Sequence, residues 1–410
     1  MSQTQPKTNP TFTGEITPWP VWGETEEREI LEVFRSGNWW FGDKIREFEE
    51  KYAAYQNAKH AITCSNGTIA IEIALKAMGI GPGDEVIVPD YTFIATAGAV
   101  ANIGAIPRFA DVDPISANID LDSAEKLVNP HTRALIVVHF AGLPVDMDKA
   151  RAFAKKHNIR LMEDAAHGWG SQWDGQGVGA ISEVGTFSFQ VSKNLSAGEG
   201  GIIVTNDDEL ARMCRSYSNC GRLEGFEWYE HFHLGGNNRM TEFQAAILLG
   251  QLERSPEHVE RREENVQFLN TELSKIPGLR VPGRDPKVTR RSHHLYILNF
   301  TAAEFGNIER KDFLIALENE GVPCSGGYLV PVHANYCFLN LNDNARPENR
   351  WLSDICNERG IRFSEIHNPN ATRLTEETMV WFYHTLLLGS RQDMEQVVEA
   401  VHKIHRQANS

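Results

Sequence analysis

Apolar residues follow two alternating spacings between Gly67 and Asp208. Apolar positions three or four residues apart follow Gly67 and predict a helix, whereas the short apolar run EVIVP at 85–89 predicts a strand. The continuous β-branched run RALIVVHF is typical of a strand buried on both faces. The further segments predicted in this way are helices at 94–103 and 146–157 and strands at 108–112, 133–140 and 160–165. This repeated order predicts an α/β domain in which helices flank a parallel sheet.

The spacing changes after Thr241, where a helical pattern continues for about thirty residues. Pro256 is expected to begin a second helix there or to kink the first. Beyond Leu279 strand and helix patterns mix, which indicates a smaller α+β domain joined by a long helix. A length of 410 residues suggests two or three units, at about 150 residues per domain. The predicted division is an N-terminal arm at 1–24, a large domain at 25–260, and the connecting helix with a small domain at 261–410.

The chain carries a net charge of −15, from 40 Lys and Arg against 55 Asp and Glu. This sign argues against nonspecific nucleic-acid binding and against attraction to an anionic membrane surface. No apolar run reaches the ~20 residues that span a bilayer, and the first twelve residues lack the apolar core of a signal peptide. The six cysteines include no Cys-x-x-Cys pair, so neither a disulfide framework nor a metal site is expected. The expected localisation is cytoplasmic.

The segment 162–206 holds two residues that suit a single cofactor. Asp164 ends a predicted central strand, at the edge where open α/β sheets bind their ligands. Lys193 lies in a loop rich in Ser and Gly between two predicted strands. A lysine for a Schiff base and a carboxylate for a pyridinium nitrogen are the usual pair of a pyridoxal phosphate (PLP) site. Taken singly, Asp164 is better interpreted as a helix cap and Lys193 as a solvated loop cation. Because both residues occur together on a predicted parallel sheet, the cofactor site is the favoured interpretation.

A phosphate site is the next feature that this cofactor requires. The segment Ser65–Thr68 (SNGT) precedes a predicted helix, so backbone N–H groups and the Thr68 hydroxyl could bind an anion with help from the helix dipole. The alternative is a plain N-cap by Ser65 or Asn66, and the pattern alone favours neither. The glycines of GIGPGD at 79–84 follow a helix and precede a strand, which is the wrong context for a dinucleotide-binding loop.

Six motifs in order carry a family resemblance: SNGT, VPDYTF, VVHFAG, EDAAHGWGS, TFSFQVSKNLSAGEGG and GGNNRMTEFQAAI. Together they resemble the DegT/DnrJ/EryC1/StrS family of sugar aminotransferases, which have PLP fold type I. The resemblance implies a large domain with a mainly parallel seven-stranded sheet and a smaller C-terminal domain. The segments GNWW, SNCGR, PVH and WFYH are most similar to the branch that contains aminocyclitol aminotransferases and 3-amino-5-hydroxybenzoate synthases.

The resemblance also implies the role of individual residues around the cofactor. Lys193 matches the Schiff-base lysine, Asp164 the partner of the pyridine nitrogen, and His167 the residue that hydrogen-bonds the ring hydroxyl. Phe93 matches the aromatic residue that stacks on the ring. The residues that match phosphate ligands are Gly67, Thr68 and Ser188 of the same chain and Asn237 of a neighbouring subunit. A homodimer with shared active sites is therefore expected.

Three further residues are weaker candidates for contact with the substrate. His333 matches a family histidine near the substrate, and a structural role is equally plausible. Trp40 could form a wall of a sugar-sized pocket or lie in the core or the dimer interface. Arg222 could pair with an anionic substrate or with acidic neighbours. Two other histidines are interpreted mainly as core residues: His139 ends a buried strand, and His384 could face either the pocket or the core, with the core favoured.

Two positions depart from the branch that the chain most resembles. Trp169 stands where those relatives commonly have a second histidine, and Asn194 follows the lysine where an apolar residue is common. Trp169 changes bulk and polarity close to the ring, so the identity of the amino acceptor stays open.

The first hypothesis is a PLP-dependent aminotransferase that moves an amino group from Glu or Gln to a keto-cyclitol or keto-sugar in two ping-pong half reactions. One alternative is a dehydrating, aromatising enzyme like 3-amino-5-hydroxybenzoate synthase. The other is a catalytically silent relative, against which the retained Lys193, Asp164 and His167 argue.

Overall fold

The computed structural model describes residues 10–410, so the first nine residues of the predicted arm lie outside the described part. The strands are β1 His60–Cys64, β2 Glu85–Pro89, β3 Ile106–Ala110, β4 Thr132–Val138, β5 Arg160–Asp164, β6 Gln172–Trp173, β7 Gln176–Gly177, β8 Val184–Ser188, β9 Gly201–Thr205, β10 Leu279–Arg280, β11 Val288–Arg290, β12 Leu295–Phe300, β13 Cys324–Ser325 and β14 Met379–Tyr383. The α-helices are α1 Glu24–Ser36, α2 Asp43–Tyr55, α3 Gly67–Ala77, α4 Ala95–Asn102, α5 Leu121–Glu125, α6 Met147–His157, α7 Asp208–Ser218, α8 Glu242–Leu273, α9 Arg310–Asn319, α10 Tyr336–Leu339, α11 Arg350–Glu358, α12 Pro369–Arg373 and α13 Arg391–Ala408.

The large domain is built on a seven-stranded sheet with the strand order β1-β9-β8-β5-β4-β2-β3. Strands β8, β5, β4, β2 and β3 pair in parallel, and β9 pairs antiparallel with both β1 and β8. Every residue of β2, β8 and β9 is buried, which explains uninterrupted apolar runs such as EVIVP. The predicted α/β class with a mainly parallel sheet is confirmed.

Helices cover both faces of this sheet. Alternate residues of the strands pack against α3, α4 and α7 on one face and against α2, α6 and α8 on the other. The predicted helix at 146–157 illustrates the local rules. Asp146 caps α6 by accepting a hydrogen bond from the backbone N–H of Lys149 at 3.0 Å, and Asn158 ends the helix in the left-handed region, at φ +52°.

Helix α8 is a single helix, so Pro256 neither ends it nor begins a new one. Its first half contributes Ala245 and Leu248 to the core of the large domain, whereas its second half contributes Leu269 and Leu273 to the core of the small domain. The predicted division at residue 260 therefore falls inside a helix that serves both cores.

The small domain holds a four-stranded antiparallel sheet with the order β10-β12-β14-β13, packed against α9 and α13. The N-terminal segment joins this core through Phe12, whose backbone N–H donates to the carbonyl of Glu320 at 2.8 Å. Further along the same segment, Val21 accepts a hydrogen bond from Gln251 of α8 at 2.6 Å. The segment therefore connects the small domain to the helix that links both domains.

The segment 331–366 packs on the core of the large domain, although it lies between elements of the small one. Its contributions include Val332, Phe338, Leu352 and Phe363. Within residues 10–410, no helix is both long and apolar enough to cross a membrane.

Candidate active site

A cavity of about 990 Å³ opens at the carboxyl ends of the parallel strands, between the two domains. This is the edge where open α/β sheets place their ligands. The small domain contributes residues of β12 and β14 to its wall. Seven of the residues singled out from the sequence line this one cavity: Gly67, Thr68, Phe93, Asp164, His167, Ser188 and Lys193.

Asp164 is the last residue of β5, and 5% of its surface is exposed. Its Oδ2 accepts a hydrogen bond from the Thr96 hydroxyl at 2.7 Å, and its Oδ1 accepts one from the backbone N–H of Ala166 at 3.2 Å. Burial raises the pKa of Asp164, while these hydrogen bonds and the nearby Lys193 charge act in the opposite direction. A buried carboxylate of this kind is stabilised by a cationic partner, such as a protonated ring nitrogen.

Lys193 lies in the loop between β8 and β9, and its side chain lines the cavity. The backbone around it is held on both sides: its N–H donates to Gln190 at 2.8 Å, and its carbonyl accepts from Trp19 Nε1 at 3.0 Å. Burial lowers the pKa of Lys193 to about 8, and the attraction of Asp164 opposes this shift. An amine with this pKa is neutral often enough near pH 8 to act as a nucleophile or a base.

His167 presents a fixed tautomer to the cavity. Its Nδ1 accepts a hydrogen bond from the backbone N–H of Ala141 at 3.3 Å, so the ring proton lies on Nε2. Burial lowers the pKa of His167 well below the usual value, and the charge of Lys193 acts in the same direction. His167 is therefore a neutral donor, which suits a hydrogen bond to a ring hydroxyl or its anion.

The N-terminus of α3 forms the end of the cavity. Asn66 caps this helix by accepting from the N–H of Ile69 at 2.9 Å, and among the described residues the N–H groups of Gly67 and Thr68 have no hydrogen-bond partner. A β-carbon at residue 67 would lie 2.7 Å from the β-carbon of Ser188, so only glycine allows this close approach. The cap and the anion site suggested by the sequence are thus parts of one arrangement.

Phe93 is 58% exposed and lies between β2 and α4 at the open side of the cavity. The deeper wall holds Thr186, whose buried hydroxyl has no hydrogen-bond partner within residues 10–410. Thr186 lies beside Asp164 in the parallel pairing of β5 and β8. The site thus offers the Phe93 ring, the Thr186 hydroxyl and the unbonded N–H groups at the start of α3. Together these groups suit the binding of a flat, phosphorylated heteroaromatic ring.

Four residues singled out from the sequence do not line the cavity. Asn237 is exposed, and Arg222 lies with its guanidinium carbon 4.2 Å from the centre of the Trp228 ring. Trp40 is 42% exposed and lies between Trp228 and the guanidinium group of Arg239. The remaining residue, His333, is buried and is described next.

His333 is held by Asp90, a buried residue at the end of β2. The Nδ1 atom of His333 lies 2.5 Å from Asp90 Oδ2, and its backbone N–H donates to Asp90 Oδ1 at 2.9 Å. The same carboxylate accepts a hydrogen bond from the Asn368 amide at 2.9 Å. These contacts link the segment after β13 to the large domain, which is a structural role.

The two histidines interpreted as core residues are both buried. His139 pairs with Glu163 at 2.9 Å, and Glu163 also accepts backbone N–H groups from 179–182. His384 lines the cavity as well: its Nε2 donates to the Ser192 carbonyl at 3.0 Å, beside Lys193.

The cavity is also lined by four residues that no motif in the sequence singled out: Trp19, Thr96, Tyr328 and His294. Thr96 lies three residues beyond Phe93, so its position at the start of a helix next to a motif was a usable signal. Trp19, Tyr328 and His294 reach the site from the N-terminal segment and the small domain. No spacing along the chain indicates those contacts.

Comparison with known proteins agrees with this geometry. Residues 20–361 match the profile of the DegT/DnrJ/EryC1/StrS aminotransferase family. The chain belongs to this family. The L-glutamine:2-deoxy-scyllo-inosose aminotransferase of Streptoalloteichus tenebrarius is 34% identical over 95% of each chain. The 3-amino-5-hydroxybenzoate synthase of Amycolatopsis mediterranei is 31% identical, and the match covers 94% of this chain and 96% of the synthase.

The fold of this family member is also shared with solved structures. A crystal structure of 3-amino-5-hydroxybenzoic acid synthase superposes with a TM-score of 0.84 and 31% identity, covering 96% of this chain and 99% of the other. The aminotransferase of Psychrobacter cryohalolentis superposes with a TM-score of 0.83 and 30% identity, covering 97% and 100%. The predicted family and enzyme class are confirmed, and the chain is an aminotransferase.

Proposed function

We propose that this aminotransferase uses PLP to move an amino group from L-glutamine or L-glutamate to the carbonyl group of a polyhydroxylated ring, a keto-cyclitol or a keto-sugar. The observation that carries the proposal is that Lys193 and Asp164, twenty-nine positions apart in the sequence, line the same cavity. Relatives named for L-glutamine and for a scyllo-inosose substrate support the choice of donor and acceptor.

The residues of the cavity fit PLP at each of its functional groups. Asp164 would pair with the ring nitrogen, His167 would donate to the ring hydroxyl, and Phe93 would cover the ring face. The N–H groups of Gly67 and Thr68, with the Ser188 hydroxyl, would hold the phosphate. When bound, PLP supplies an electron sink that stabilises negative charge at the carbon losing a proton.

The protein's own contribution centres on the Lys193 amine. With a pKa of about 8, this amine exchanges between charged and neutral forms near neutral pH, as a group that moves protons requires. Burial raises the pKa of Asp164, and the hydrogen bonds from Thr96 and the backbone of Ala166 oppose this rise, so they help Asp164 to pair with a protonated ring nitrogen. Trp19 fixes the backbone from which Lys193 projects.

We also propose that the active sites are shared in a homodimer. Exposed aromatic and apolar residues form a patch near Trp40, as expected for an interface between copies rather than a solvated surface. The members of this patch are Phe34, Trp39, Trp40 and Trp228, whose rings lie against one another in the pairs Phe34–Trp39 and Trp40–Trp228. Asn237 and Arg222 are placed near it, outside their own chain's cavity, so they are free to contribute to that of the partner.

Mixing inactive variants tests the shared site. Lys193→Ala and Asn237→Asp should each be nearly inactive, the second because it sets a carboxylate against the phosphate. Refolding the two together should restore about a quarter of wild-type activity, because half of the random dimers then carry one intact site. The matched control is Lys193→Ala mixed with Asp164→Asn, which lie in one chain's site and should not complement. If the first mixture regains no more activity than the control mixture, the shared active site is contradicted.

A donor and acceptor screen tests the reaction itself. Purified enzyme loaded with PLP is given L-glutamine or L-glutamate with a panel of keto-cyclitols and nucleotide-linked keto-sugars, and amino products are measured by mass spectrometry. We expect amination of at least one ring ketone and none without an amino donor. Turnover confined to an amino-dehydroshikimate-type substrate, with loss of water, would instead support the aromatising alternative. No colour and no turnover with any substrate would support a silent relative.

A further inference from the structure

Four rings form a row along the wall of the cavity next to Lys193. The ring centres of His167 and His294 lie 4.2 Å apart, those of His294 and His384 lie 5.5 Å apart, and those of His384 and Trp19 lie 4.6 Å apart. His167 and His384 have the assigned contacts described above. His294, in the middle of the row, has not yet been given a role, although it lines the cavity and is 6% exposed.

Asn194 fixes the orientation of His294. The Asn194 amide nitrogen donates to the carbonyl of Ser292 at 3.0 Å, so its Oδ1 must be the acceptor that lies 2.8 Å from His294 Nδ1. The proton of the neutral His294 ring therefore lies on Nδ1, and Nε2 carries a lone pair. This arrangement depends on the residue after the lysine, one of the two positions at which the chain departs from the branch it most resembles.

Burial and the charges around His294 keep its ring neutral. Burial lowers the pKa of His294 well below its usual value, and His167, Lys193, His384 and Arg262 act in the same direction. No carboxylate hydrogen-bonds to His294 within residues 10–410. Nε2 also has no hydrogen-bond partner in that part of the chain, so a lone pair faces the cavity without a donor.

We propose that His294 is a specificity-determining residue for the amino acceptor, and that its Nε2 accepts a hydrogen bond from one hydroxyl group of the acceptor ring. Asn194 is a positioning residue that acts through His294. This inference rests on the proposed function, because it assigns one contact within the ring-ketone site.

The lone pair on His294 Nε2 favours a hydrogen-bond donor, such as a ring hydroxyl group, over the carboxylate of an amino donor. A neutral imidazole lone pair attracts an O–H donor and repels the carboxylate of an amino donor. His294 immediately precedes β12 of the small domain, and it lines the same cavity as Asp164 at the end of β5. A site that hydrogen-bonds a substrate hydroxyl discriminates strongly against the analogue lacking it, because its own polar atom is then left unpaired.

Two variants separate the acceptor atom from the shape of the ring. His294→Phe keeps a ring in contact with His167 but removes Nε2, whereas His294→Gln can present an amide oxygen at nearly the same place. The two half reactions are followed separately by the absorbance of the bound cofactor, first with L-glutamine and then with ring ketones. The ketones are a series of polyhydroxylated cyclohexanones, each lacking one hydroxyl group.

His294→Phe should leave the rate of the L-glutamine half reaction within about threefold and lower kcat/KM for the fully hydroxylated ketone by about 10- to 100-fold, mainly through KM. His294→Gln should recover much of this loss. Wild-type enzyme should show a similar loss for one deoxy ketone of the series, and His294→Phe should show no further loss for that ketone. Equal sensitivity of both enzymes to every missing hydroxyl would overturn the inference while leaving the aminotransferase reaction intact. A wild type that aminates no ring ketone would overturn the proposed function and this inference together.

The tautomer of His294 provides a readout that does not depend on turnover. In holoenzyme labelled with ¹⁵N-histidine, the His294 resonances, assigned by their loss in His294→Phe, should show a protonated Nδ1 and an unprotonated Nε2. Asn194→Leu, which removes the acceptor for Nδ1–H, should shift this balance towards protonated Nε2. A proton on Nε2 in the unmodified holoenzyme would overturn the inference.

Discussion

Replacement of Lys193 by alanine should abolish transamination, with a loss of about 10⁴-fold or more, which corresponds to about 5.5 kcal/mol. The expected loss is large because one amine is assigned both the covalent attachment of the cofactor and the movement of the proton. The variant should fold normally, since the side chain of Lys193 makes no hydrogen bond or ion pair within residues 10–410 and its backbone contacts are unaffected. Steady-state amination of the best ring ketone, with circular dichroism for the fold, measures this effect.

Lys155→Ala is the matched control. Lys155 is exposed on α6 and is remote from the residues that line the cavity. This variant should retain the activity of the unmodified enzyme within about twofold, as surface substitutions usually do. Residual activity of Lys193→Ala above one per cent of wild type would contradict the assigned role.

Replacement of Asp164 by asparagine should lower kcat by about 10³-fold while leaving the fold intact. The asparagine side chain has nearly the same shape and can still bond to Thr96 and to the backbone of Ala166. What it lacks is the negative charge that holds a proton on the ring nitrogen. The loss should therefore appear in both half reactions, because both remove a proton from a carbon attached to the cofactor.

A cofactor analogue separates this charge effect from a general disturbance of the site. PLP methylated on the ring nitrogen carries its positive charge permanently, so it should narrow the gap between Asp164→Asn and wild type to about 10-fold or less. Thr96→Val, which removes a hydrogen bond to Asp164 but not the charge, should cost about 10-fold. An unchanged gap with the methylated cofactor would show that Asp164 acts by shape rather than by charge.

The sequence indicated the fold and the cofactor site because both depend on short stretches of chain. The buried run at 133–140 predicted β4 with its end two residues too far, and Asp146 marked the start of α6. Asp164 was recognisable because it ends a strand that the alternating pattern places in the middle of the sheet. Pro256 does not begin a second helix, because a helix packed against both cores tolerates the loss of one backbone hydrogen bond.

The substrate-facing wall could not be predicted in the same way. His294 acquires its tautomer from Asn194, which is 100 residues away, and Trp19 bonds to the carbonyl of Lys193 from 174 residues away. Such contacts arise from the packing of the small domain and the N-terminal segment, which leaves no periodic signal. For His333 the sequence left a substrate contact and a structural role equally open, and only the folded chain shows that Asp90 holds its ring.

Lys193 is proposed to be the residue that bonds to PLP beside Asp164. Treating the PLP-loaded enzyme with sodium borohydride makes any lysine–cofactor bond permanent, and digestion with mass spectrometry then locates it. We expect a single modified peptide that contains Lys193, formed in proportion to active sites and absent from Lys193→Ala. Modification of another lysine, or none in an enzyme that still aminates ring ketones, would contradict it.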